Sequence, residues 1–109
     1  MTKLSYTDSE GNEFNIVREP NAGGWLQGHV YVNYSELVSA FGNPCYLGSG
    51  DGKVQAEWTL KINGEMVTIY DYKEYGKPVQ HIREWHIGGT SKDAVEMVEG
   101  ALAAYRQGL

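Results

Sequence analysis

The chain lacks the sequence features that mark several classes of protein. Its 109 residues include a single cysteine, Cys45, which excludes an internal disulfide and a cysteine-based zinc site within one chain. No apolar run approaches the roughly 20 residues that a membrane span requires. The first 14 residues have no apolar segment of the kind found in signal peptides. We therefore expect one cytoplasmic domain over residues 1–109, with no membrane contact.

Catalytic and cofactor motifs are also missing. The sequence has no Gly-x-Ser-x-Gly elbow, no Walker lysine loop and no dinucleotide fingerprint. Cys45 has no activating base nearby in the sequence, and the spacing of His29, His81 and His86 is not that of a metal motif. On one predicted strand, His81 and His86 would lie on opposite faces. We predict no catalytic residue, no metal site and no cofactor, and hence a protein that is not an enzyme.

The charge balance bears on the partner. Fourteen acidic and nine basic side chains give a formal net charge of −5, whereas phosphate backbones are bound by clustered lysine and arginine. We expect no nucleic-acid partner. Eight of the aromatic residues are tyrosines, which offer a rigid contact area with a polar tip. They either pack along sheet edges or form a binding surface.

The first half of the chain predicts three strands and a helix. Residues 3–7 and 14–18 form two strands around a turn, and residues 29–32 form a third strand. Asn33 is positioned to cap a helix, with Glu36 as its reciprocal partner. Gly42 and Pro44 are typical of a helix end.

The second half predicts a hairpin, one more strand and a helix. The hairpin spans residues 53–73 around Asn63-Gly64, a sequence that favours a type I′ turn. A further strand covers roughly residues 79–87, and Thr90 with Asp93 fits a capping box for the last helix. The prediction is an α+β domain: an antiparallel sheet of about five to six strands, in the order ββ-β-α-βββ-α, with two helices packed on one face.

The hairpin turn also predicts which side chains share a face. Counting back from Asn63-Gly64 pairs Trp58 with Ile69 on the core face and Glu57 with Tyr70 on the outer face. We expect a candidate ligand-binding or partner-binding surface there, and its predicted members are Tyr70, Tyr72, His86, Glu84, Glu57 and Trp25. Alternatively, residues 19–28 cover this face, with Trp25 lying over it. Both arrangements fit the sequence.

A second candidate is the loop that leads into the last helix. Gly88, Gly89, Thr90 and Ser91 join a strand to a helix N-terminus, where free N–H groups favour an anion. Arg83 and Lys92 are the candidate cations. The same residues are explained by a tight turn capped by Thr90, which is the favoured interpretation.

Several motifs together resemble small uncharacterised proteins of bacteriophages and prophages. They lie within residues 28–102: Phe-Gly-x-Pro at 41–44, Ala-Glu-Trp at 56–58, Thr-Ile-Tyr-Asp-Tyr-Lys at 68–73 and Trp-His-Ile-Gly-Gly at 85–89. The helix, Phe-Gly-x-Pro and tryptophan-bearing meander are more weakly similar to the repeat of the beta-lactamase-inhibitor-like fold.

The phage resemblance implies a cytoplasmic accessory protein that binds and neutralises a host protein, including a defence protein. An alternative is an oligomeric sponge that sequesters a nucleotide-like signalling ligand, and a third is a virion or assembly component. The sequence leaves the partner, the ligand and any homo-oligomeric state open.

Overall fold

The computed structural model describes residues 3–20, 23–48, 54–74 and 76–108. These residues form one antiparallel sheet of seven strands and two α-helices. The strands are β1 (Lys3–Thr7), β2 (Glu13–Arg18), β3 (Trp25–Tyr31), β4 (Tyr46–Leu47), β5 (Ala56–Ile62), β6 (Glu65–Tyr70) and β7 (Glu84–Gly89), and the helices are α1 (Tyr34–Phe41) and α2 (Asp93–Gln107). The spatial order is β1-β2-β5-β6-β7-β3, and β4 pairs with β5. The predicted α+β class is confirmed, with slightly more strands than expected.

The central hairpin has the predicted register. Asn63 and Gly64 both have positive φ, at 53° and 83°, as a type I′ turn requires. Trp58 pairs with Ile69, and Glu57 pairs with Tyr70. Residue 53, where the predicted hairpin begins, lies outside the described residues.

One core lies between the sheet and the two helices. Trp58 and Trp85 are both fully buried, and their rings meet edge to face at 5.5 Å. Their indole N–H groups donate to the carbonyls of Gly42 at 2.8 Å and Val32 at 3.0 Å. A buried indole N–H usually finds such a partner, because an unpaired buried donor lowers stability. Both helices bury side chains in the same core, so the prediction that they pack on one face is confirmed.

Two strands differ from their predicted bounds. β3 begins at Trp25, four residues before the expected start at His29. The strand expected over residues 79–87 begins only at Glu84, because residues 79–81 form a 3₁₀ turn after Pro78. A proline at such a position suits a helical turn, since its φ is already fixed and its missing N–H is not needed. None of the described helices has the length and apolar character needed to cross a membrane.

The predicted end of α1 at Gly42 is confirmed, with a φ of 87° there, but the capping box predicted for its start was wrong. Asn33 makes no side-chain cap; its Oδ1 instead accepts a hydrogen bond from Arg83. Glu36 pairs with Arg106 of α2. In both cases an arginine from a distant part of the chain binds the side chain that was predicted to cap the helix. A hydrogen bond from a charged donor is stronger than one between neutral groups.

The last helix begins later than expected. α2 begins at Asp93 and its N-cap residue is Lys92, whose side chain makes no cap hydrogen bond, so Thr90 is not the cap. The Ser91 hydroxyl accepts the Asp93 N–H at 3.1 Å, so one of the N–H groups left free at the start of this helix is satisfied.

Candidate functional site

A row of five side chains crosses the face of the sheet opposite the helices. Tyr46 pairs with Glu57, Glu57 with Tyr70, Tyr70 with His86, and His86 with His29. Directly paired residues of antiparallel strands project from the same side of the sheet. The five therefore form a single line across β4, β5, β6, β7 and β3, and we call this line the outer row.

The outer row lies opposite the core because side chains alternate along each strand. Trp58, Ile69 and Trp85 are fully buried, and each is the immediate sequence neighbour of a member of the outer row. Successive side chains of a strand point to opposite faces. The same turn that turns Trp58 inward therefore turns Glu57 and Tyr70 outward.

His86 is the centre of an aromatic cluster on this face. Its ring meets Tyr70 at 5.4 Å and His29 at 4.5 Å, both close to perpendicular, and Tyr72 at 5.6 Å. Edge-to-face pairs at such distances are favourable. Tyr72 is 41% exposed, and Tyr70 is only partly buried, so neither ring belongs to the core.

A shallow pocket of about 270 Å³ opens beside the outer row. Glu57, Tyr70 and Tyr72 line one part of it, and Thr68 and Gly88 line another. Pockets for drug-sized ligands are usually about 300–1,000 Å³. A pocket of this size has room for one inserted side chain of a partner.

The pocket depends on glycine at one position. A Cβ on Gly88 would lie well under 3.0 Å from the Thr68 hydroxyl oxygen, closer than real Cβ atoms approach. Gly88 and Thr68 are both buried and sit opposite each other on β7 and β6. Any larger residue at position 88 would fill the space next to Tyr70.

The electrostatics of the pocket are acidic. Burial raises the pKa of the Glu57 carboxyl. Burial also raises the pKa of Tyr70, and the neighbouring charge of Glu57 raises it further. An ionised Glu57 in this partly dry setting lacks full hydration, so an incoming cation would gain from pairing with it.

The surroundings of His86 disfavour its charged form. Burial lowers the pKa of its imidazole, and the nearby His29 lowers it further, against an opposing effect of Glu84.

Among the described residues of the segment 19–28, those from Trp25 onward belong to the sheet and do not form a separate cover over its outer face. The part from Trp25 onward belongs to β3, which extends the sheet edge by pairing with β7. Trp25 lines the pocket and is 67% exposed. Residues 21 and 22, which belong to the same predicted loop, lie outside the described residues.

The predicted anion-binding residues are only partly brought together. Gly88 and Gly89 end β7, followed by Thr90, Ser91 and Lys92 before α2. Arg83 precedes the other end of β7, roughly 20 Å away at about 3.3 Å per strand residue. Its guanidinium donates to Asn33, so Arg83 does not converge on the glycine turn.

Three members of the outer-face cluster were not predicted from the sequence. His29 and Tyr46 belong to the outer row, and the Tyr31 hydroxyl donates to the Glu84 carboxylate at 2.7 Å. His29 and Tyr31 lie on β3, whose partner β7 is more than 50 positions away in the chain, and Tyr46 lies on β4, a strand of only two residues. The alternation of His29 with Tyr31 was the one local signal.

A larger cavity of about 380 Å³ lies elsewhere, near the end of α1. Arg18 is its one charged lining residue among those described, and its guanidinium lies 3.4 Å from the Phe41 carbonyl. This cavity brings together no cluster of titratable or aromatic groups comparable with that around His86.

Comparison of the chain with protein-family models, curated proteins and solved structures finds no match.

Proposed function

We propose that this chain is a non-enzymatic binding protein that takes another protein on the outer face of its sheet. The observation that carries the proposal is the pocket beside the outer row, with its two tyrosine rings and half-buried Glu57. Exposed aromatic side chains around a pocket are the residues that dominate protein interfaces energetically.

The charge of the pocket favours a cationic side chain of the partner. Tyrosine rings attract ammonium and guanidinium groups over their faces, and the Glu57 carboxylate adds an opposite charge. The formal net charge of −5 opposes the approach of an anion. These features support a lysine or arginine of a partner protein over a nucleotide-like ligand.

The resemblance to phage and prophage proteins extends the proposal to a cytoplasmic host protein, including one that acts in defence. In that setting the small protein would act stoichiometrically, by covering a surface of its target.

The test begins with affinity capture from a bacterial host lysate and continues with the purified captured protein. Calorimetry should show binding by the wild type and at least 10-fold weaker binding by Tyr72→Ala and by Trp25→Ala, since side chains at the centre of an interface commonly contribute about 2 kcal/mol or more. Both side chains are exposed, so neither variant should lose its fold.

Leu47→Ala is the matched control. Leu47 is 71% exposed, but it pairs with buried Ala56 and so projects away from the outer row. Equal loss in Leu47→Ala, or no loss in the other two variants, would contradict the proposed surface. Saturable binding of a nucleotide from a panel, with no captured protein, would instead favour the sponge.

A further inference from the structure

Two histidines and a carboxylate converge at the junction of β3 and β7, next to the pocket. His29 and His86 are directly paired across these strands. Glu84 precedes His86 by two residues on β7, so its side chain lies on the same face. The three residues belong to the outer face and not to the core.

Their donor atoms are close enough to share one ion. One ring nitrogen from each histidine and one carboxylate oxygen all lie within 4.8 Å of one another. Zinc binds nitrogen and oxygen at about 2.0–2.2 Å in a tetrahedron, which places two ligand atoms roughly 3.3 Å apart. The atoms are therefore at most about 1.5 Å further apart than in such a site, and the exposed side chain of His29 has room to turn toward the other two.

The chemistry of the three groups fits a transition-metal ion of intermediate softness. Imidazole suits zinc, cobalt, nickel and copper, whereas magnesium and calcium prefer sites made of oxygen atoms alone. Three protein ligands leave a fourth position open to water or to a group from a partner.

The surroundings also resemble those of a metal site. The Tyr31 hydroxyl donates to the Glu84 carboxylate at 2.7 Å, and carboxylate ligands are typically oriented by a hydrogen bond of this kind. His86 is packed between Tyr70 and Tyr72, which restricts the directions in which its ring can turn.

We propose that His29, Glu84 and His86 form a binding site for one divalent transition-metal ion, with zinc as the expected occupant. This site goes beyond the proposed function and does not depend on it. A structural alternative is that the two imidazoles simply pack edge to face, and the experiment separates the two.

The experiment titrates the tag-free 109-residue chain with zinc chloride by calorimetry and with cobalt chloride by visible absorption. One equivalent of zinc should bind per chain, and cobalt should produce the d–d absorption bands of a low-coordinate site with nitrogen ligands. Magnesium chloride should give no binding at the same concentrations.

Variants identify the ligands. His29→Gln and Glu84→Gln should each weaken zinc binding at least 10-fold, and Tyr31→Phe should weaken it through the lost orienting hydrogen bond. His81→Gln is the matched control, since His81 is exposed on the 3₁₀ turn, away from the cluster. His29 is also exposed, so its replacement should leave the fold intact.

Absence of stoichiometric zinc binding to the wild type would overturn the proposal. Equal zinc affinity in the wild type and in His29→Gln would also overturn it, because binding would then be located elsewhere. No partner protein takes part in this assay, so its failure and the failure of the protein-binding proposal are distinguishable.

Discussion

Gly88→Ala should destabilise the fold by about 1–2 kcal/mol. The added Cβ would collide with the Thr68 hydroxyl oxygen, and Thr68 is only 6% exposed, so it has little room to move. An extra methyl group forced into a packed site typically costs about 1–3 kcal/mol. Replacing glycine also lowers the conformational entropy of the unfolded chain, which offsets about 0.4–1 kcal/mol of this cost.

The assay is urea unfolding followed by tryptophan fluorescence, because Trp58 and Trp85 are fully buried. In thermal unfolding followed by the same fluorescence signal, a loss of about 1–2 kcal/mol in a domain of this size should lower the melting temperature by roughly 4–10 °C. Gly108→Ala is the control. A Cβ at Gly108 meets its nearest atom at 3.6 Å, an ordinary contact distance, so this variant should be at least as stable as the wild type.

A second replacement tests the stated cause. Thr68→Ala removes the oxygen that the new Cβ would meet, and the next atoms lie at 3.5 Å. The double variant should therefore be more stable than the sum of the two single effects predicts, with a coupling of about 1 kcal/mol. Strict additivity, or a Gly88→Ala variant as stable as the control, would refute the pairing of β6 with β7 in this register.

Three further replacements have expected outcomes. Trp58→Phe should lower the free energy of unfolding by about 1–3 kcal/mol in urea titrations, since it loses the hydrogen bond to Gly42 and leaves a small cavity. Because the pKa of His86 is lowered in the folded protein, its imidazole takes up a proton more readily in the unfolded chain, near pH 6.5. The free energy of unfolding should therefore fall as the pH drops below about 6.5, and His86→Gln should remove that part of the pH dependence. The raised pKa of Glu57 predicts the opposite sign: Glu57→Gln should stabilise the protein at pH 7, and the gain should vanish below about pH 4.5, where the unfolded carboxyl is also protonated.

The sequence predicted the central hairpin well because its information is local. The turn residues Asn63 and Gly64 set the register, and strict alternation sets the faces, so the pairing of Glu57 with Tyr70 follows from counting. The expected position of His86 on the same face also agrees with the structure, since it pairs with Tyr70.

Contacts between distant segments could not be predicted in the same way. The pairing of β3 with β7 joins residues more than 50 positions apart, and it contains an irregularity between Leu26 and Gly28 that no turn residue announces. His29 was therefore judged only by its spacing from His81 and His86 along the chain. The capping box predicted for α1 failed for the same reason, since Asn33 bonds to Arg83 and Glu36 to Arg106.

The two proposals meet in β3, the strand at one edge of the sheet. β3 carries both Trp25 of the pocket and His29 of the metal cluster, and its only strand partner among the described residues is β7. A metal ion bound by His29 and His86 would tie β3 to β7 beside the pocket and so restrict the position of Trp25. Restricting a binding surface before association lowers the entropy lost on binding.

Zinc should therefore raise the affinity for the partner, and the partner should raise the affinity for zinc by the same factor. His29→Gln should abolish this coupling, so that zinc no longer changes the partner affinity, whereas Trp25→Ala should weaken partner binding and leave zinc binding in place. Equal partner affinity with and without zinc in the wild type would mean that the metal cluster and the pocket act independently.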